Sequence, residues 1–311
     1  MEQPICSVVM PTRDCLAYLP AALGSVALQN RRDIEVIVAD DGSTDGTRAW
    51  LAARRADLPP LRVVETGGVG PAAARNAAIA ASEAPYIAFL DADDVWWPDK
   101  LARQLCWHQA CPDAGFSFTD YLHVNPDGRH LGTCFAFWNS PLAHHAGRDF
   151  GFLPDAELSL LATNVVGTST VVARRRALEE LGGFRLLASA EDWDLWLRLA
   201  ARWPVGFSAA ITASYLMRPG SETAKGWQRL AAMRNTLTCY ESRTDEATRR
   251  AVKIAHGRLA TAEAELARAE GRAWHAIRSG AAALARQPSR RAWRSLAADC
   301  LRIFTPPRTG E

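Results

Sequence analysis

The chain has 311 residues, of which 48% are hydrophobic and 23% charged, with a formal net charge of +2. That balance is ordinary for a soluble globular protein with room for one large α/β domain and a smaller addition, and no apolar run approaches the roughly 20 residues a membrane-spanning helix needs. Residues 1–4 lack the basic segment of a signal peptide, and the seven cysteines form no CxxC pair, which points to reduced cytosolic thiols rather than a zinc site or disulfide framework.

In chain order, residues 5–10 read as a buried strand ending at Pro11, and 16–28 carry apolar residues at helical spacing. Residues 35–39 form a second strand, Ser43-Thr44-Asp45 a helix start, and 61–64 a third strand. The glycine-rich stretch 67–70 then turns through Pro71 into a helical run to Ile79, with proline favourably placed in the first turn. Residues 86–90 form the fourth strand, and Pro98 opens the next helix. Such alternation implies right-handed crossovers and a mostly parallel sheet. In the middle, 115–124 and 132–137 read as strands around a turn at Asn125-Pro126-Asp127-Gly128, 169–173 as another strand, and 191–201 as a helix. From about Pro219 the texture becomes Ala/Arg/Leu-rich, with roughly four helices, the last over 290–304, and a frayed tail at Thr305-Pro306-Pro307-Arg308. The charge is uneven: from residue 222 onward the balance is +8, against −6 in the remainder.

Two carboxylate clusters end strands: Asp40-Asp41-Gly42-Ser43 and Asp91-Ala92-Asp93-Asp94. An open α/β sheet binds its ligands at that edge. Crowded carboxylates repel one another and resist desolvation, so a metal or cationic partner is expected there. The bland readings are a strand-to-helix turn with an N-cap for the first cluster and an exposed acidic loop for the second.

The runs Ser7-Val8-Val9-Met10-Pro11-Thr12, Val38-Ala39-Asp40-Asp41-Gly42-Ser43-Thr44-Asp45, Ala74-Arg75-Asn76-Ala77, Phe89-Leu90-Asp91-Ala92-Asp93-Asp94 and Glu191-Asp192-Trp193-Asp194 together resemble family 2 of the glycosyltransferases. The resemblance covers roughly residues 5–220 and implies an α/β, GT-A (Rossmann-like) catalytic domain over 1–220, with a C-terminal α-helical region over 221–311. It further implies a nucleotide-sugar donor (a UDP-sugar foremost), a divalent metal (Mg2+ or Mn2+), and inversion at the anomeric carbon.

Carried over residue by residue, Asp41 would accept a hydrogen bond from the donor's base, a task suited to an acceptor-only carboxylate. Pro11, Thr12 and Arg13 would close the first strand beneath that base, although Arg13-Asp14 departs from the family's usual aromatic and Asn. Arg75 would reach the donor, and the backbone N–H groups of 67–76 would suit a phosphate. Asp93 would bind the metal, with Asp91 supporting the ribose or the metal's water shell. Asp192 would be the catalytic base, Glu191 an acceptor-side group, and Trp193 a surface packed against the acceptor sugar. An acidic helix start at Glu191-Asp192 could equally serve the helix dipole.

These readings point to transfer onto a hydroxyl of a saccharide or lipid-linked acceptor in bacterial cell-surface polysaccharide synthesis. The alternatives are a non-catalytic nucleotide-sugar-binding protein and a sugar-phosphate nucleotidyltransferase; the latter would need a lysine-bearing triphosphate loop that Pro11 to Asp14 does not supply. No nucleic-acid partner is expected, because the basic tail lacks a reading helix. Its last helices mix apolar residues with arginine, which fits either a cap on the catalytic domain or a peripheral contact with anionic membrane, so the expected location is cytoplasmic or peripheral on the inner membrane face.

Overall fold

The structure, a computed structural model, describes residues 3–54, 58–145, 149–218 and 226–304. The expected frayed tail at Thr305 to Arg308 and the texture change at Pro219 lie outside the described residues. The elements run β1 (Cys6–Thr12), α1 (Leu19–Ala27), β2 (Ile34–Asp40), α2 (Thr47–Arg54), β3 (Leu61–Glu65), α3 (Pro71–Ala80), β4 (Tyr86–Phe89), β5 (Val95–Trp96) and α4 (Lys100–Ala110). They continue with β6 (Phe116–Val124), β7 (His130–Thr133), α5 (Cys134–Phe137), β8 (Gly151–Phe152), α6 (Ala156–Ala162), β9 (Val172–Arg174), α7 (Arg175–Glu180), α8 (Glu191–Ala200) and β10 (Val205–Leu216). Four helices follow: α9 (Gly226–Glu241), α10 (Glu246–Ala269), α11 (Ala273–Arg286) and α12 (Arg290–Phe304).

Two compact units result. One comprises residues 1–157, 165–187 and 191–218; the other comprises 158–164, 188–190 and 219–311. In the first, the sheet order is β3-β2-β1-β4-β9-β6-β10-β5, with β7 on β6 and β8 on β10. The β3-β2-β1-β4 half is parallel throughout, as the strand–helix alternation requires. β1, β2 and β4 are buried almost throughout, which is why they read as continuous apolar runs, whereas β3 at the edge is only partly covered. Cys6, Val8 and Met10 of β1 and Val36 and Val38 of β2 share one face and pack with Leu19, Leu23 and Val26 of α1 and Leu101 and Leu105 of α4.

The other half departs from the expected pattern. β9 runs antiparallel to both β4 and β6, while β6 and β10 are parallel. Residues 132–137, expected as a strand, divide into the end of β7 and the short helix α5. There the Thr133 hydroxyl caps the backbone N–H of Ala136 at 3.3 Å and starts a helical turn. Likewise 168–170 is a 3-10 turn, and only 172–174 pair as strand.

In the second unit, alanines on α10 (Ala251, Ala255, Ala260, Ala264, Ala267) and α11 (Ala276, Ala283) are buried and let successive helices approach closely. Arg268 of α10 holds both oxygens of Asp299 on α12, at 2.6 and 2.7 Å, and donates to Ser295 at 2.7 Å. Asp299 is buried, so this bidentate pair fixes the register of α12.

Candidate functional site

The site forms at the carboxyl ends of β1, β2 and β4, where the chain turns out of the sheet. At β2, Asp40 and Asp41 are both buried but face different partners. Asp40 accepts from the Arg48 guanidinium of α2 at 2.5 Å. Asp41 instead gathers the glycine-rich loop: Oδ1 accepts from the Thr66 hydroxyl and from the N–H groups of Gly68 and Val69, and Oδ2 accepts from the N–H of Gly70, each at 2.8 Å. Gly67, Gly68 and Gly70 all have positive φ, the conformation that turns successive N–H groups towards one point. Burial opposes the charge on Asp41, but the Thr66 hydroxyl and the three N–H groups outweigh it and hold the carboxyl below its ordinary range. The loop N–H groups expected to face a phosphate are therefore directed at Asp41. One lone pair of Oδ2 is left for a ligand.

At the end of β1, Pro11 is partly buried, Thr12 is buried with its hydroxyl unpaired, and Arg13 is exposed beside Gly68. The departure at Asp14 has a structural role. Its carboxylate accepts from Thr44 N–H at 2.7 Å, and its own N–H donates to Ser43 Oγ at 3.0 Å, which stitches the loops after β1 and β2 together.

Arg75, on α3, joins the site's two acidic motifs. One guanidinium nitrogen donates to Asp91 at 2.6 Å and another to Glu191 at 2.9 Å. The side chain is buried, and its cationic plane lies 5.5 Å from the Phe184 ring centre. Burial favours loss of its charge, but Asp91 and then Glu191 outweigh that and raise its pKa, so the guanidinium stays charged. Phe184 is held by Asn76, which donates to its carbonyl and accepts from its N–H, both at 2.8 Å. A side chain at Gly183 would come within 2.4 Å of Asn76 Oδ1, so this clamp requires glycine. Phe184 stacks edge-on against Phe89 and Trp196, and Trp196 also packs on Phe116. This aromatic cluster seats α8 and so presents Glu191 and Asp192 at its first turn.

Around Asp91 to Asp94 the carboxylates are unequal. Asp93 pairs with Arg218 at 2.7 Å; burial and then the charge of Asp91 push its carboxyl above the ordinary value, against the pull of Arg218. Asp94 is fully enclosed, accepts from Ser169 Oγ at 2.5 Å and Leu216 N–H at 3.1 Å, and is pushed well above the ordinary value by burial and then by Asp93 and Asp91. Among the described residues no three or more carboxylate, His or Cys side chains converge as a metal cage, and Asp91 and Asp93 are paired with Arg75 and Arg218. Their oxygens match only the one or two carboxylates that a hard divalent cation such as Mg2+ takes alongside phosphate.

Asp192 accepts from the Thr168 hydroxyl at 3.2 Å through Oδ2 and from the Trp193 N–H at 2.7 Å through Oδ1. Next to Thr168, the Ser169 hydroxyl donates to Asp94 and accepts from the Asp91 N–H at 3.0 Å, and the Ser169 carbonyl accepts from Trp96 Nε1 at 2.6 Å. The Thr168–Thr170 turn thus touches both acidic motifs. Burial and then the neighbouring Asp192 charge raise the Glu191 carboxyl, against the pull of Arg75.

The structure gathers Arg75, Asp91 and Glu191 into one network, to which Asp192 belongs as the neighbour of Glu191. Asp41 and Asp93 lie on the same sheet edge. One expectation is corrected: Trp193 is 2% exposed and part of the core, so its ring offers no face to an acceptor. The sequence reading passed over Asn76, Thr168, Ser169 and Arg218. Only Asn76 had a signal, as the neighbour of Arg75 in a quoted motif.

Comparison with known proteins bears on the family and the type of fold. The sequence model of glycosyl transferase family 2 matches residues 7–182. The chain is 30% identical over 235 residues to a putative teichuronic acid biosynthesis glycosyltransferase, TuaG, of Bacillus subtilis, covering 73% of this chain and 84% of that one. Other curated relatives are longer, and the chain spans 31% of the length of some of them. Among solved structures, S. aureus TarS 1–349 in complex with UDP-GlcNAc superposes with a TM-score of 0.62 at 19% identity, covering 94% of this chain and 88% of that one. The mannosyltransferase PcManGT of Pyrobaculum calidifontis, in complex with GDP-Man and Mn2+, gives 0.65 at 22% identity, covering 98% and 82%. These likenesses support the expected GT-A type of fold with its helical C-terminal region.

Proposed function

The chain belongs to glycosyl transferase family 2, and from that membership and the geometry of the site we propose that it transfers a sugar, with inversion, from a nucleoside-diphosphate donor to an acceptor hydroxyl. The observation that carries this reading is Arg75, which binds Asp91 and Glu191 at once and so joins a donor-side carboxylate to the acidic start of α8. A UDP-sugar is the favoured donor, supported by the likeness to a protein solved with UDP-GlcNAc. A saccharide or lipid-linked acceptor of a bacterial cell-surface polymer is favoured by the likeness to TuaG.

In this reading Asp41 uses the remaining lone pair of Oδ2 to accept from the base, while Pro11, Thr12 and Arg13 line the same end. Asp93, with Asp91, would hold a divalent cation, Mg2+ or Mn2+, leaving its other positions to phosphate oxygens. When bound, that ion offsets charge on the departing diphosphate. Asp192 takes the proton from the acceptor hydroxyl as the oxygen attacks the anomeric carbon opposite the diphosphate. Thr168 and the Trp193 N–H hold the Asp192 carboxylate in place. Glu191, bound to Arg75, contributes on the acceptor side.

The test is thermal stabilisation by a panel of nucleotide sugars, with and without Mn2+ or Mg2+, followed by transfer assays with the stabilising donor. One donor is expected to raise Tm only with metal, and Asp93→Asn is expected to abolish the metal requirement together with the shift. Metal-dependent binding without transfer or donor hydrolysis over a broad acceptor panel would favour a binding protein instead.

A further inference from the structure

The helical unit holds a second site of different chemistry. A cleft of about 390 Å³ opens among α9, α10 and α11, lined by Arg234, Arg278, Arg286, His256, His275 and Trp227, among others. That volume lies in the range of roughly 300–1,000 Å³ usual for small-molecule sites. Three guanidinium groups and two imidazoles meet there with one lining carboxylate, Glu263, which pairs with Arg234.

The remaining charge is not balanced. Arg278 and Arg286 have no carboxylate partner among the described residues; Arg286 donates only to the Ala282 carbonyl, at 3.2 Å, which leaves most of its five N–H donors unused. The cleft's walls are fixed rather than loose. A Cβ at the buried Gly257 would meet Gln287 Cγ at 3.0 Å and Arg286 Cβ at 3.3 Å, so α10 uses glycine to admit the end of α11 that carries Arg286. Trp227 donates to Glu270 at 2.8 Å and lies 5.0 Å from the His275 ring, while His256 bonds Glu241 at 2.8 Å.

We propose that this cleft binds a phosphate-bearing anion through Arg278 and Arg286. Planar guanidinium groups bind phosphate oxygens in pairs, and Arg278 and Arg286, eight residues apart on α11 and both lining the cleft without a carboxylate partner among the described residues, suit a phosphodiester or diphosphate better than a single carboxylate. The site contains none of the residues assigned to the donor site, and the proposal does not depend on sugar transfer.

The probe is inorganic pyrophosphate, titrated calorimetrically into the full chain and into an Arg278→Gln/Arg286→Gln double variant. Both arginines are exposed, so the variant is expected to keep its Tm and its response to nucleotide. Saturable pyrophosphate binding in the wild type, weakened about tenfold or more in the variant, is expected from the loss of two charge-assisted contacts. Vesicles of phosphatidic acid in phosphatidylcholine separate the sources of the phosphate. Retention of the wild type but not the variant, competed by pyrophosphate, assigns a lipid headgroup; pyrophosphate binding without retention assigns a soluble phosphate compound. Equal pyrophosphate affinity in wild type and variant, or no saturable binding of either probe, overturns the proposal.

Discussion

Asp192 and Asp41 show how the same residue type acquires different work from its surroundings. Asp192 sits at the first turn of α8 with one oxygen turned to Thr168, so removing its basicity should remove proton transfer and little else. Asp192→Asn is expected to lower turnover by roughly 10²–10⁴-fold, the usual contribution of a general base, with donor affinity unchanged in a nucleotide titration. Thr168→Val should lower kcat with unchanged donor KM, and Thr168→Ser should restore it; a fall in donor affinity instead would place Thr168 on the donor side. Asp41 anchors a loop through four hydrogen bonds, so Asp41→Ala should cost stability as well as nucleotide binding. Because its folded pKa is depressed, that stabilisation is present above the unfolded carboxylate value and lost as pH falls through the folded one. The difference between Asp41→Ala and wild type in urea midpoint should therefore shrink on acidification. The sequence singled out these aspartates but not their partners, since Thr66, Thr168 and Ser169 carry no motif and meet the carboxylates only through folding.

At the scale of elements, the parallel half of the sheet was legible because β1, β2 and β4 are largely apolar runs between helix signals. β10 was not. Its pairing with β6 shifts register between Ser208 and Ile211 and again between Ile211 and Ser214, so the alternation of buried and open positions is lost in Val205–Leu216. Helix α4 misleads in the opposite sense. Lys100, Gln104 and His108 recur every four residues like a solvated face, yet all three are fully buried against the sheet. Gln104 donates to Ser117 and to the Thr170 carbonyl, Lys100 donates to Gln104 at 2.8 Å and lies 4.3 Å from the Trp96 ring centre, and His108 bonds Ser117 and Val172. Burial lowers the Lys100 pKa to about 7 and that of His108 to about 4. The unfolded chain keeps the Lys100 proton up to the ordinary lysine value of 10.5, so it binds more protons than the folded chain above pH 7 and stability rises with pH in that window. Urea midpoints between pH 7 and about 8, short of the value of about 8.5 at which ordinary thiols titrate, should climb more steeply in the wild type than in Lys100→Met. An equal slope in both would show that another group supplies it.

At the scale of the whole molecule, the helical unit is where composition spoke more clearly than motif. Its excess of arginine was visible in the sequence, but which arginines are spent internally was not: Arg268 is committed to Asp299, whereas Arg278 meets no carboxylate among the described residues. The same unit leaves Trp274 75% exposed, Trp293 62% and Leu301 65%, on helices that also carry arginine. Tryptophan with arginine on amphipathic helices suits the headgroup boundary of an anionic bilayer, and no helix among the described residues is long and apolar enough to cross one. A peripheral contact of this kind would raise the local concentration of a lipid-linked acceptor without adding any contact at the transfer site. The full chain is therefore expected to co-sediment with vesicles containing anionic lipid, less so at high salt, because basic side chains near a charged surface act within a Debye length. Trp274→Ala with Trp293→Ala should weaken that retention by about tenfold or more through lost apolar burial, while transfer to a water-soluble acceptor stays unchanged. Retention that survives both substitutions but vanishes with Arg278→Gln/Arg286→Gln would assign membrane contact to the cleft alone, with the tryptophans left as ordinary surface residues.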